Sequence, residues 1–123
     1  MSVPNAKARL QKAKDHVTDA KVVLAGGRPG AAVILAEFAL VNAADAVLAN
    51  AGWRVRGVTG AHEARFDFPS LPAVFRQNQP LINQARASRN EEAYGVTHPI
   101  SPSQAKAIVD FAELATDEVS KLF

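Results

Sequence analysis

Over the first 25 positions, apolar residues recur every three or four places: Ala6, Leu10, Ala13, Val17, Ala20 and Leu24, with charged and amide side chains between them. That period predicts one amphipathic helix, and Gly26-Gly27-Arg28-Pro29-Gly30 ends it. Residues 31–50 predict a second helix that is apolar almost all round. Its polar exceptions, Glu37, Asn42 and Asp45, fall within an arc of about 140° at 100° per residue. A helix apolar on its remaining sides needs neighbours there, so it is expected at the centre, with Gly52 as its stop.

Residues 53–60 read as a glycine-punctuated basic loop, and residues 62–68 as a short helix that Pro69 and Pro72 interrupt. A further helix runs from about residue 78, with Pro80 in its first turn, to Tyr94 or Gly95. Residues 95–100 connect it to the last helix. There Ser101 is the expected N-cap and Pro102 the first helical residue, with Ala105, Ile108, Ala112, Ala115, Val119 and Leu122 as the buried stripe.

No stretch alternates with the period of a strand, and no repeat or linker divides the chain. The expected fold is all-α: a single antiparallel bundle of four long helices plus one short helix, one domain over residues 1–123. Its many alanines permit close approach of the helices. Phe38, Phe66, Phe68, Phe75, Phe111 and Trp53 are then the bulky fillers, some of them free to face a partner.

Composition narrows the class without changing that picture. The 123 residues are 48% hydrophobic and 21% charged, an ordinary globular balance. There is no cysteine, which rules out disulfides and thiolate metal sites and fits a reducing, cytoplasmic setting. The N-terminal helix, with Lys7, Arg9, Lys12 and Lys14, lacks the apolar core of a signal peptide. Residues 31–49 are the most apolar window, yet a mid-membrane aspartate costs about 2.5–3.5 kcal/mol, so the window reads as a core helix and no membrane is expected. Net charge is only +2, and the arginines cluster: Arg54, Arg56, Arg65, Arg76, Arg86 and Arg89 lie within residues 54–89.

Candidate chemistry centres on Arg89-Asn90-Glu91-Glu92-Ala93-Tyr94. An arginine beside a short amide, one turn from a phenol, can clamp a phosphate and position a nucleotide. The same arginine can equally pair with Glu91, Glu92 or Asp45 and hold the helix end. Arg56 and His62 form an Arg-x5-His spacing, with Glu63 beside the histidine, although two glycines intervene. Either His62 or His98 could serve a ribonuclease, and His62 could instead be a capping or interface residue. His62, Glu63 and Asp67 do not share a helical face at ligand spacing, so no metal and no cofactor is expected. Glu37, Asn42 and Asp45 are either a solvated or an interhelical hydrogen-bonded stripe, or Asp45 or Glu37 contacts Arg89 or a ligand in a groove.

Several pieces in order resemble the HEPN superfamily, small helical bundles named for nucleotide binding in higher eukaryotes and prokaryotes. They are the alanine-rich helix from Glu37 through Leu48 ending in Gly52-Trp53-Arg54-Val55, the segment Gly60-Ala61-His62-Glu63, the Arg89-Asn90 pair with Tyr94, and the final Ser-Pro-Ser-Gln-Ala-Lys-Ala helix start. The resemblance covers about residues 30–120. It implies, in the ribonuclease branches, an Arg-polar pair and a histidine four to six residues on that meet across a homodimer interface and cleave RNA without metal through its own 2′-hydroxyl. Arg89 and Asn90 match the pair, and Tyr94 stands where the histidine is expected. A phenol with a pKa of about 10 is a poor base near neutrality, whereas an imidazole near about 6.5 is a good one.

The resemblance therefore implies a non-catalytic, homodimeric module of toxin–antitoxin or defence type. It would bind nucleotide or RNA through Arg89, Asn90, Tyr94, Arg56, His62 and Asp45, or dock a nucleotidyltransferase or antitoxin partner. The alternatives are a metal-independent endoribonuclease toxin, with Arg89 and His62 as candidate catalytic residues, and a purely structural interaction protein.

Overall fold

The computed structural model describes residues 3–52, 65–94 and 100–123, with side chains over residues 5–52, 65–87 and 100–123. Among these residues the chain is helical and carries no strand. Helix α1 is Val3–Ala25, α2 is Pro29–Asn50, α3 is Ala73–Gln77, α4 is Gln79–Tyr94 and α5 is Pro102–Ser120. A 3-10 turn, Arg65–Asp67, precedes α3.

Helix α1 buries Ala6, Leu10, Ala13, Val17 and Ala20, the stripe that its period predicts. It ends where Gly27 adopts φ +82, a left-handed conformation that side chains with a Cβ resist, and Pro29 opens α2 two residues later. Gly52 closes α2 in the same way at φ +86. Helix α2 is the hub of the bundle, packing on α1, α4, α5 and the 3-10 turn, with its longest contact along α1. Its buried face is largely alanine: Ala32, Ala36, Ala39, Ala43, Ala44 and Ala46 are all 0% exposed. An alanine loses no rotamer freedom on burial, and its small volume lets helix axes approach toward the short end of the usual 8–10 Å range. By length and composition α2 could cross a membrane, but 61% of its most apolar window is buried within the bundle.

Aromatic rings supply the bulk elsewhere in the core. Phe75 is fully buried, stacked on Phe66 at 6.3 Å and edge-on to Phe111 at 6.3 Å. Phe68 is only half-buried, Phe38 is 37% exposed, and Trp53 lies outside the described residues.

Two expectations shift. The described part of the helix expected over residues 62–68 is a three-residue 3-10 turn. Pro69 disfavours helical backbone at Phe68, so the turn stops at Asp67, and positions 62–64 lie outside the described residues. Leu122, expected on the buried stripe of the last helix, lies beyond the helix end and is 51% exposed.

Helix α5 starts with a reciprocal cap. Ser101 Oγ accepts from the Gln104 backbone N–H at 3.2 Å, and Gln104 Oε1 accepts from the Ser101 N–H at 3.0 Å. Ser101→Ala removes one half of this box and is expected to lower stability by about 1 kcal/mol, read as an earlier urea midpoint with unchanged slope. Farther along, Lys21 of α1 donates to Glu113 of α5 at 2.7 Å, and that hydrogen bond raises the lysine's pKa above its ordinary value.

Candidate functional site

A single asparagine makes the junction that positions α4. The Asn78 side chain donates to the Val74 carbonyl at 2.8 Å and closes α3, while its own carbonyl accepts from Leu81 at 3.0 Å and Ile82 at 3.2 Å and opens α4. Pro80 sits in that first turn, where its missing N–H has no partner to lose. Gln79 Nε2 then donates to the Phe66 carbonyl at 3.4 Å, tying the 3-10 turn to the start of α4.

Between these two elements lies a depression of about 200 Å³ lined by Phe66, Asp67, Gln79, Ile82, Asn83 and Arg86. Phe66 and Ile82 are buried and make an apolar floor, while the amides, the carboxylate and the guanidinium form the rim. Its volume is below the roughly 300–1,000 Å³ of sites that enclose drug-sized ligands, so it suits one base or one phosphate group. Positions 86, 90 and 94 follow one another at four-residue steps on α4 and so share its face by register.

The sequence candidates are distributed as follows. Positions 89, 90 and 94 all belong to the last turns of α4, on the same helix as the depression. Arg56, His62 and His98 lie outside the described residues. Asp45 lies on α2, where its Oδ1 accepts from Arg65 Nε at 2.8 Å and its Oδ2 is 3.6 Å from Arg9 Nη1. The Asp45 and Arg65 side chains are only 12% and 10% exposed, so this is a partly desolvated, charge-assisted bond and not a surface pair. Because Arg65 begins the turn that carries Phe66 and Asp67, Asp45 acts one step behind the depression, holding two of its walls. Glu37 is 1% exposed and engaged in an interaction of its own, and Asn42 donates to the Phe38 carbonyl at 2.8 Å within α2.

Sequence reasoning missed Asp67, Gln79, Asn83 and Arg86 as lining residues, and Arg65 and Arg9 as partners of Asp45. The α4 set carried a legible signal: polar residues at 79, 83, 86 and 90 recur at helical spacing on one face. The Asp45 partners are 20 and 36 positions away, with no local signature. Among the described residues no three His, Cys, Asp or Glu side chains converge as metal ligands.

Fold and depression together define a small helical bundle with a polar-rimmed hollow beside its fourth helix. The chain matches no protein-family model, and no curated protein is similar to it in sequence, so its own geometry carries the functional reading.

Proposed function

We propose that this protein is a HEPN-like RNA-binding module that does not cleave its ligand: one domain, an antiparallel bundle of four long helices and one short helix, acting as a cytoplasmic homodimer. The observation that carries the reading is the rim of Gln79, Asn83 and Arg86 over Phe66 and Ile82, on the helix that also bears Arg89, Asn90 and Tyr94. A guanidinium recognises phosphate oxygens in fork geometry, amides pair with base edges, and a hollow of this size admits a single splayed nucleotide group, the form in which RNA is read. The antiparallel arrangement is supported by the α1–α2 seam, where Arg9 approaches Asp45 and His16 approaches Phe38, so that rising numbers on one helix meet falling numbers on the other. Catalysis is disfavoured by Tyr94, five residues after Arg89, where a proton-transferring histidine is required. Homodimerisation, an encoded nucleotidyltransferase or antitoxin partner, and a role in toxin–antitoxin or defence systems enter through the family resemblance.

The test combines binding and cleavage. Fluorescence anisotropy with a mixed-sequence single-stranded RNA is expected to show saturable, salt-sensitive binding. Asn83→Ala and Arg86→Ala should each weaken it by about tenfold, equivalent to about 1.4 kcal/mol. In excess chelator the RNA should stay intact. Fragments with cyclic phosphate ends that vanish with Arg89→Ala or His62→Ala would establish the endoribonuclease instead, and absence of binding would leave an interaction protein.

A further inference from the structure

The seam between α1 and α2 carries a second set of polar groups, with no residue shared with the α4 depression. Asn5, Arg9, Lys12 and His16 fall within an arc of about 60° on α1 at 100° per residue. They meet α2 in three successive rungs. Arg9 lies 3.6 Å from Asp45, Lys12 faces Asn42 across a depression of about 310 Å³ that Asn5, Ala8 and Arg9 also line, and the His16 ring lies 5.7 Å from that of Phe38 at 57°.

From one end of this strip to the other the chemistry changes in order. Arg9 and Lys12 are one helical turn apart, a rise of about 4.5 Å, so both can reach one phosphate group. Among the described residues, Asp45 is the carboxylate in ion-pair range of Arg9, and Arg65 at 2.8 Å already balances it, leaving the strip cationic. The Arg9 side chain is 43% exposed, and Lys12 has no carboxylate partner among the described residues. Asn42 spends one amide hydrogen on the Phe38 carbonyl and keeps its Oδ1 as an acceptor. His16 lies about 6 Å beyond Lys12 along α1, and the Phe38 ring packed against it keeps 37% of its surface in solvent. The His16 ring is held there by packing, since its Nδ1 is buried and makes no hydrogen bond. Ala8, with no side chain beyond Cβ, gives the hollow its depth.

We propose that this seam is a binding site for a nucleoside monophosphate. The phosphate lies between Arg9 and Lys12, the amides of Asn5 and Asn42 flank the sugar, and the base rests against Phe38 and His16. Cations followed at nucleotide distance by an exposed ring select for a phosphate with an aromatic group attached. The volume, at the bottom of the range for enclosed ligands, holds one nucleotide and not two. The ligand can be a free nucleotide or the phosphorylated end of a strand, since both present the same group. This site does not depend on the α4 reading.

The test is a titration of isotope-labelled full-length protein with an equimolar mixture of AMP, GMP, CMP and UMP, followed by backbone amide shifts. Saturable shifts below about 1 mM in residues 5–16 and 38–45 are expected, fitted separately from any shifts on α4. Arg9→Gln and Lys12→Gln should each weaken binding by about fivefold or more. Phe38→Leu should weaken nucleotide binding while leaving pyrophosphate binding unchanged. Asn83→Ala, on α4, should leave the affinity as it is, which separates this site from the RNA face. A 5′-phosphorylated trinucleotide that binds more tightly than its 5′-hydroxyl form and than free nucleotides would identify a strand end as the source; the reverse order would identify the free nucleotide. Three outcomes would overturn the proposal: no saturable shift on the seam, nucleosides binding as well as nucleotides, or inorganic phosphate binding as well as both. Urea midpoints of the three seam variants that match the parent's exclude a folding defect as the cause of any loss.

Discussion

Phe75→Ala is expected to lower the unfolding free energy by about 3–5 kcal/mol, a large share of the roughly 5–15 kcal/mol that stabilises a domain of this size. The ring is fully buried between Phe66 and Phe111, and it links α3, the 3-10 turn and α5 in one stack. Its removal takes away apolar burial and leaves a void that the neighbours fill only in part, because the flanking Phe66 and Phe111 rings are themselves held in the core. Urea unfolding followed by far-ultraviolet circular dichroism measures the loss. A drop below about 1 kcal/mol would mean that the aromatic stack is not the centre of the core. Phe75→Leu, which keeps most of the volume, should cost much less.

The second large effect is expected at Asp45. Asp45→Ala should destabilise the fold by about 2–3 kcal/mol, the range for losing a charge-assisted hydrogen bond in a partly desolvated setting. The carboxylate takes the Arg65 hydrogen bond at 2.8 Å and stands 3.6 Å from Arg9, so its loss removes one partner from a guanidinium whose side chain is only 10% exposed. Asp45→Asn keeps an acceptor oxygen and should recover part of the loss. The same change loosens the turn that carries Phe66 and Asp67, so RNA affinity should fall in Asp45→Ala even under conditions where the protein remains folded. Arg9→Ala, which removes the more distant and more exposed partner, should cost less than about 1 kcal/mol. Equal effects of the two substitutions would show that the carboxylate is not held chiefly by Arg65. Chemical unfolding of the three variants, with anisotropy on the same samples, separates the stability term from the binding term.

Most helices of this bundle were legible because their signals are local. The stripe of α1, the cap at Ser101 and the stops at Gly27 and Gly52 each depend on residues within a few positions of one another. The short α3 was not anticipated, since five residues after Pro72 carry no full period to recognise. Of the candidate site, the polar register of α4 was written in the sequence, but its floor was not. Phe66 and Ile82 line one hollow where the Asp45–Arg65 bond and the Gln79–Phe66 hydrogen bond hold the turn beside α4.

The sequence by itself determined the helical class, the central place of α2 and the positions of the chain's punctuation, because backbone geometry and side-chain period act over one or two turns. Only the tertiary structure decided which arginine holds Asp45, that Glu37 is buried, that Phe38 stays open to solvent, and that Arg9, Lys12 and His16 line a seam with Asn42 and Phe38. Those outcomes depend on how helices distant in sequence are rotated and set against one another. That rotation is fixed by the packing of alanine faces and aromatic rings over the whole core, which no single segment encodes.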